Sequence, residues 1–405
     1  MYNWDFYADM EEFHPIADAN NLYDGYKNSA KSGKWKKEVQ RFRWNLTEEL
    51  YKLQSELVNF INETDNAYTL SSYSKFEVHE RGKTRAITAL RFRDRIVKNV
   101  LNNLYLIPHI RPHLIYDNGA SLKGKGVDFT RRRLIAHLES YYREYGTNEG
   151  YIRLTDFSGY YDNLDHELCM EMICKYEPDP VARKLVKQAY DSYRVDVSEC
   201  TDEQYEILCN SKIKILNFRR YYHPEITGKK YLCKSLSVGD QTSQITAIGF
   251  PTPVDKMMTI VHGQKYYSRY MDDTYLIHRD KRELKLLGEI FDETAERYKL
   301  FINHNKTQIY KLSKGFTFMQ YRYRLSETGH VIVKINKETV VRMRRKLKKL
   351  KKLGTPLYKA EEVFRSWMGN YAKVMSKVQR QNIVKLYRDL FGEGLDIWMK
   401  TKHLS

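Results

Sequence analysis

Cysteine is scarce and badly spaced for either of its structural uses. Cys169, Cys174, Cys200, Cys209 and Cys233 form no C-x-x-C pair and no matching set with histidine, which speaks against both a zinc site and a disulfide framework. A reducing, cytoplasmic compartment fits such usage. No apolar run approaches the roughly 18 residues of a membrane span. The first residues, Met-Tyr-Asn-Trp-Asp-Phe, hold no basic segment leading into an apolar core. Neither membrane anchoring nor secretion is expected. Negative charge is also in deficit: 51 Asp and Glu face 69 Lys and Arg, a net charge of +18. That balance suits a protein that neutralises phosphates, although a basic surface alone would also account for it.

What is present is enough for a large core. The 405 residues are 42% apolar, which allows two or three structural domains. The 33 tyrosines offer stacking faces and hydroxyls of the kind that meet bases and sugars. Residues 1–70 carry apolar residues at helical spacing, Trp44, Leu46, Leu50, Leu53, Leu57 and Phe60, and read as a helical N-terminal extension. A basic hairpin over 75–88 should turn at Arg81-Gly82-Lys83. After it comes a helix through Ile96, Val97, Val100, Leu101 and Leu104, expected to end before Pro108. A Gly-rich basic loop, Ser121 to Gly126, then leads into a helix over 128–145, with Lys123 and Lys125 placed for a phosphate backbone.

The second half alternates strands and helices. A strand over 151–157 ends at Asp156, helical periodicity runs through 166–190, and 196–230 has little period and reads as an insertion or loop. Ser243 to Ile248 starts a helix, 266–278 forms a hairpin with Asp272-Asp273 at its turn, and 281–299 is an amphipathic helix. Antiparallel strands with helices on one face imply an α+β layer. After a β segment over 316–335, Val340, Met343, Leu347 and Leu350 share one helical face, and eight Lys and Arg between 342 and 352 crowd the other. A solvated face is the default for such a run. Beside an acidic site, the same face suits a duplex backbone, with Arg342, Arg345, Lys346 and Lys349 as its contacts.

Asp156, Asp272 and Asp273 are the candidate chemistry. Carboxylates gathered beside apolar strand residues repel one another and resist burial, so a fold that converges them supplies cations, and hard oxygen ligands suit Mg²⁺. Two such ions clamp the attacking and leaving oxygens of an in-line phosphoryl displacement. Asp162 and Asp165 are rivals, but they follow the strand, and Asp165 is placed to cap the next helix.

In order, these motifs resemble prokaryotic reverse transcriptases over roughly residues 70–350. Arg85-Ala-Ile and Phe92-Arg-Asp-Arg-Ile-Val97 are similar to the first fingers motifs, and Ser121-Leu-Lys-Gly-Lys-Gly126 to the next. Thr155-Asp-Phe-Ser-Gly-Tyr-Tyr-Asp-Asn-Leu-Asp-His166, Leu236-Ser-Val-Gly-Asp-Gln-Thr-Ser-Gln244 and Tyr270-Met-Asp-Asp273 resemble the palm motifs. Asn303-His-Asn-Lys-Thr307 and Phe316-Thr-Phe-Met-Gln-Tyr321 occupy the last two places. The resemblance implies a right-hand polymerase with fingers (71–150), an RRM-like antiparallel palm (151–335, including the 196–230 insertion) and a basic helical thumb (336–405).

It also implies roles. Asp156, Asp272 and Asp273, with Phe157 beside them, would hold two Mg²⁺ ions, Mn²⁺ being the alternative. Arg81, Lys83, Arg85, Phe157, Tyr161, Val238, Gly239 and Gln244 would line the nucleotide site. Tyr161 would be an aromatic gate against a 2′-hydroxyl, with core packing as its other reading. Lys306 would protonate the leaving pyrophosphate or form a plain salt bridge. Two departures stand out, Val238 where many members carry Gln, and Met319-Gln320 where Leu-Gly is usual. The apolar residue at 238 points toward diversity-generating retroelement enzymes and unclassified bacterial lineages, some linked to phage defence, and toward low fidelity.

Dedicated noncoding or element RNA, dNTPs, cDNA and an accessory protein or second copy are the partners this implies. The competing readings are a polymerase that copies DNA or needs no template, and a silent RNA-binding scaffold.

Overall fold

The computed structural model describes residues 13–31, 33–80, 83–220 and 230–392. Three helices come first, α1 (Ala19–Ala30), α2 (Lys37–Trp44) and α3 (Leu46–Asn62). The hairpin β1 (Ser74–Glu80) and β2 (Lys83–Ala89) leads to α4 (Phe92–Leu101), a π-turn (Asn102–Leu106), α5 (Ile107–Ile110) and α6 (Val127–Tyr145). Next are β3 (Tyr151–Asp156), α7 (His166–Tyr176), α8 (Pro180–Tyr193), β4 (Val195–Asp196), α9 (Asp202–Asn210), α10 (Ile215–Arg220) and β5 (Tyr231–Leu232). Helices α11 (Gln241–Gly249) and α12 (Thr252–Lys256) precede β6 (Tyr267–Tyr270), β7 (Asp273–His278) and α13 (Lys281–Arg297). The chain continues with β8 (Gln308–Lys311), β9 (Phe316–Phe318), β10 (Tyr321–Leu325), β11 (Val331–Ile335), α14 (Lys337–Lys352), α15 (Leu357–Tyr371) and α16 (Lys377–Phe391). Among the described residues no helix is long and apolar enough to cross a membrane.

Two compact units emerge. One holds the described residues up to Thr130 with Thr155–Thr274 and Leu286–Thr307, and the other holds Arg131–Leu154, Tyr275–Lys285 and the chain from Gln308 onward. The central sheet has the order β6-β7-β3-β8. In the first unit, Leu22, Leu53, Leu57, Ile96 and Leu101 are buried under the N-terminal helices, and Ala86, Val195, Val197, Ile213, Ile215 and Leu232 form a satellite core. In the second, β9, β10 and β11 form a three-stranded sheet whose alternating residues Tyr321, Tyr323 and Leu325 are buried. Met343 and Leu347 of α14 are buried while its eight cations are exposed, as the sequence pattern requires.

Four expectations change. The helix does not end before Pro108: Ile107 N–H bonds Asn102 O across a π-turn, and the chain re-enters a helix with Pro108 in its first turn, where a missing donor costs little. The 166–190 stretch is two helices, because Asp179 caps a new start at Pro180. Residues 196–230 include α9, opened by a Thr201–Gln204 capping box, with Tyr205, Leu208 and Cys209 packed against the satellite core. Finally, Trp44 ends α2 and is 78% exposed, so it is not part of the apolar face that Leu53 and Leu57 bury.

Met319 and Gln320 form the two-residue link between β9 and β10, with φ of 46° and 72°. Two positive φ angles are what a tight hairpin demands, which is why glycine suits the second position. Here the Tyr371 hydroxyl donates to Gln320 Oε1 at 2.5 Å and holds the larger residue in place.

Candidate active site

Asp156 closes β3, with 8% of its surface exposed. The turn at 271–272 lies beside it because Phe157 N–H donates to Asp272 O at 3.1 Å. Phe157 itself is buried, its ring stacked between Tyr160 (5.5 Å) and Phe291 (5.9 Å), which fixes the backbone that follows Asp156. A second segment grips Asp156 from the other side. Asn303 N–H donates to Asp156 O and its amide to Asp156 Oδ2, both at 2.8 Å. Lys306 Nζ donates to both carboxylate oxygens, at 2.8 and 2.7 Å.

The Asp156 charge acts on the other two aspartates. Burial, then the Asp156 charge, raises the Asp272 carboxyl above its usual range. Burial and the charges of Asp272 and Asp156 push Asp273 up to about 7. Lys306 and Lys83 oppose both shifts. Unbalanced carboxylates of this kind lower their energy by taking a cation, and their hard oxygens fit a divalent one. Among the described residues no three His, Cys, Asp or Glu side chains are grouped so as to hold a metal ion, and the Lys306 ammonium and the Asn303 amide contact the oxygens of Asp156. The hard carboxylate oxygens of the three aspartates have the donor chemistry that suits a divalent ion.

Beneath the turn lies an anchor the sequence reading did not identify. Arg269, wholly buried, donates to Asp255 through Nε (2.9 and 3.0 Å) and Nη2 (2.7 Å), and to Ile248 O at 2.7 Å. Its Nη1 reaches Met271 O at 3.3 Å. Met271 has a φ of 54°, a strained value for a non-glycine residue. The guanidinium thus braces the turn that presents Asp272. Only the position of Arg269 directly before Tyr270-Met-Asp-Asp hinted at this role. Asn303 was visible inside its motif but carried no assignment.

The other candidates fall into three groups. Lys83 and Arg85 are exposed on one face of β2, and the Lys83 charge acts on Asp272 and Asp273. Ile87 on the same strand bridges to Val238. Gly239 has a φ of 111°, a backbone only glycine adopts readily, and Gln244 is half-buried on α11, whose N-cap is Asp240. Tyr161 is half-buried, set edge-on to Tyr160, and its phenol is raised by burial and by Asp272. Its carbonyl accepts from Leu236 N–H at 2.9 Å. Asp165 caps α7 through Glu167 and Leu168 N–H. Arg81 lies outside the described residues.

The residues just before the Gly-rich loop, Asn118 and Gly119, sit against β6. Gly119 N–H donates to Arg269 O at 2.8 Å, and a Cβ at Gly119 would stand 1.9 Å from Thr130 Oγ1, so only glycine fits. Lys125 is held on Tyr116 O at 2.6 Å and over the Phe129 ring at 3.6 Å, whereas Lys123 is exposed. In the second unit, Arg342, Arg345, Lys346 and Lys349 are exposed along α14.

Residues 74–357 match the family model described as reverse transcriptase (RNA-dependent DNA polymerase), well over half of the chain. The chain belongs to the reverse transcriptase family. Enzymes of this family are RNA-dependent DNA polymerases, which are nucleotidyltransferases, and they generally use divalent metal ions; the structure of this chain mixes helices and antiparallel strands. Among solved structures, the chain is similar to telomerase from Candida albicans in complex with a TWJ fragment of telomeric RNA, at 12% identity and a TM-score of 0.40, over 81% of this chain and 62% of that one. It is also similar to apo telomerase from Candida tropicalis truncated from its C-terminal domain, at 16% identity and a TM-score of 0.39, over 65% of this chain and 55% of that one. The chain spans less than two thirds of either telomerase chain. No curated protein matches the sequence.

Proposed function

We propose that this reverse transcriptase makes cDNA on a dedicated noncoding or element RNA in a bacterial or phage-encoded system, in phage defence or retroelement-type diversification. The observation that carries the reading is the convergence of Asp156, at the end of β3, with the Asp272–Asp273 turn, joined by Phe157 N–H to Asp272 O, where the Asp156 charge acts on Asp272 and Asp273 against Lys83 and Lys306. In this scheme 71–150 act as fingers, 151–335 as palm and 336–405 as thumb, after an N-terminal extension over 1–70. Bound there, two Mg²⁺ ions, or Mn²⁺ instead, would activate the primer 3′-hydroxyl and hold the triphosphate.

The side chains then have separate tasks. Asp156 and Asp272, with the Phe157 backbone, hold the cations and Asp273 supports them. Lys83, Arg85 and Arg81 neutralise the triphosphate. Tyr161 excludes the 2′-hydroxyl, and Gly239, Val238 and Gln244 shape the base-pair pocket. Lys306, released from Asp156, is free to donate its proton to pyrophosphate. Lys123, Lys125 and the cations of α14 track the template and the product duplex. An accessory protein or a second copy completes the assembly.

The test is incorporation of dTTP on oligo-dT-primed polyadenylate, compared with polydeoxyadenylate and with no template. RNA-dependent incorporation that falls by at least about a thousandfold in Asp272→Ala supports the scheme, since a metal site supplies several kcal/mol to the transition state. Activity that survives Asp272→Ala refutes the site. Equal use of DNA or no template refutes the RNA-copying role.

A further inference from the structure

Two tryptophans stand in water at the two ends of α2, in a segment that precedes the family-matched region. Trp35 is 76% exposed and Trp44 78%. Indole rings left in water this fully mark a contact surface, since each buries a large apolar area when it stacks. Around them, Lys31, Lys34, Lys36, Lys37, Arg41 and Arg43 are all exposed, and the segment 31–44 has one acid, Glu38. That acid is engaged elsewhere: its carboxylate accepts from Phe92 N–H at 2.7 Å and lies 3.9 Å from Arg95.

Helix geometry sorts the rest. At about 100° per residue, Val39 and Phe42 share one face of α2, and Lys37, Arg41 and Trp44 share the opposite one. The first face is buried, Phe42 packing 5.1 Å from Phe92 and 6.0 Å from Tyr26. The second holds no aliphatic residue, only cations, Gln40 and an indole. Interleaved cations and aromatic faces are the arrangement that binds single-stranded nucleic acid, with the phosphates neutralised and the bases stacked. A membrane surface would call for a continuous apolar face, and α2 has turned that face inward.

We infer that α2 and the turn before it form an RNA-docking surface apart from the catalytic residues, taking an unpaired loop or tail of the RNA that the enzyme copies. Bases stack on Trp35 and Trp44 while Lys34, Lys36, Lys37 and Arg41 neutralise the adjoining phosphates. The inference rests on the RNA-copying activity for the identity of the ligand. It does not rest on any assignment among the aspartates.

The experiment uses the full chain without dNTPs. A fluorescein-labelled single-stranded RNA of mixed sequence is titrated against wild type, Trp35→Ala/Trp44→Ala and Lys34→Glu/Lys36→Glu/Lys37→Glu over a salt series. Ultraviolet crosslinking of the wild-type complex then locates the contact peptide. Loss of at least about tenfold in affinity in the tryptophan variant is expected from two lost stacks. A shallower salt dependence is expected in the charge-reversed one. Crosslinks should fall within residues 34–44. Incorporation at saturating concentrations of primed polyadenylate, where weaker docking no longer limits the rate, should stay within about twofold of wild type in both variants.

Unchanged affinity with crosslinks elsewhere overturns the inference. So does binding of the wild type, but not the tryptophan variant, to phosphatidylserine vesicles with RNA binding intact. Melting temperatures equal to wild type exclude unfolding as the cause of lost binding, and crosslinks at 34–44 in the wild type need no variant. A wild type that binds RNA through 34–44 and incorporates nothing would refute the polymerase scheme while leaving this surface standing.

Discussion

The β6–β7 turn and helix α14 both concentrate like charge, and they do so in opposite ways. At the turn, Asp272 and Asp273 are half-buried beside the buried Asp156, and the cost shows as raised carboxyl pKa values. On α14, eight cations point into water, where repulsion is screened, while Thr339, Met343 and Leu347 go inside. Among the described residues no acid pairs with those eight. Buried like charge is held against its will and calls for a small, strongly charged ligand. Exposed like charge costs little and suits a long polyanion. In the proposed scheme one surface answers to metal and the other to phosphate backbone.

If the turn is held by force, loosening its brace should cost the most. Asp255→Ala leaves the buried Arg269 charge unpaired and should lower stability by about 3–5 kcal/mol, read by urea denaturation. A loss within experimental error would mean that the turn needs no brace.

Replacing Arg342, Arg345, Lys346 and Lys349 together by Gln should leave the melting temperature nearly unchanged, because all four are exposed. The slope of log affinity for an RNA–DNA duplex against log salt should become shallower by about 3 to 4 units. An unchanged slope would return α14 to a merely solvated face.

The smallest effect belongs to Lys306. Without divalent ions, Lys306→Met should destabilise the protein by about 1 kcal/mol, since the lysine is half exposed and its pair is screened. Added Mg²⁺ should restore the loss. A variant that Mg²⁺ does not rescue would show that the ammonium is not standing in for a metal ion.

Much of this site could be read in the chain because its parts are local. Asp156 ends an apolar strand, Asp272 and Asp273 sit at a hairpin turn, and the α14 cations follow helical periodicity, all within single elements. The Arg269–Asp255 anchor joins two elements and leaves no periodic trace. Trp44 was misread because Asn45 breaks the helix, so the spacing from Trp44 to Leu46 crosses a boundary that periodicity cannot detect. Pro108 was misread because a π-turn absorbs the ring, and α9 because its apolar stripe, Tyr205, Leu208 and Cys209, spans little more than one turn among polar residues.

Magnesium binding to the full chain, followed by calorimetry as pH is varied, tests the central claim that the three aspartates act as one cation site. Asp273, raised to about 7, is protonated below that pH and must release its proton to bind metal, so affinity should rise as pH climbs from about 6 to 8. The same raised carboxyl favours the folded metal-free protein at the acid end and costs it stability as pH rises, so Mg²⁺ should lift the melting temperature more at pH 8 than at pH 6. Asp272→Asn should abolish the binding and its pH dependence together. Affinity that is flat across this range, or that survives Asp272→Asn, would contradict the account.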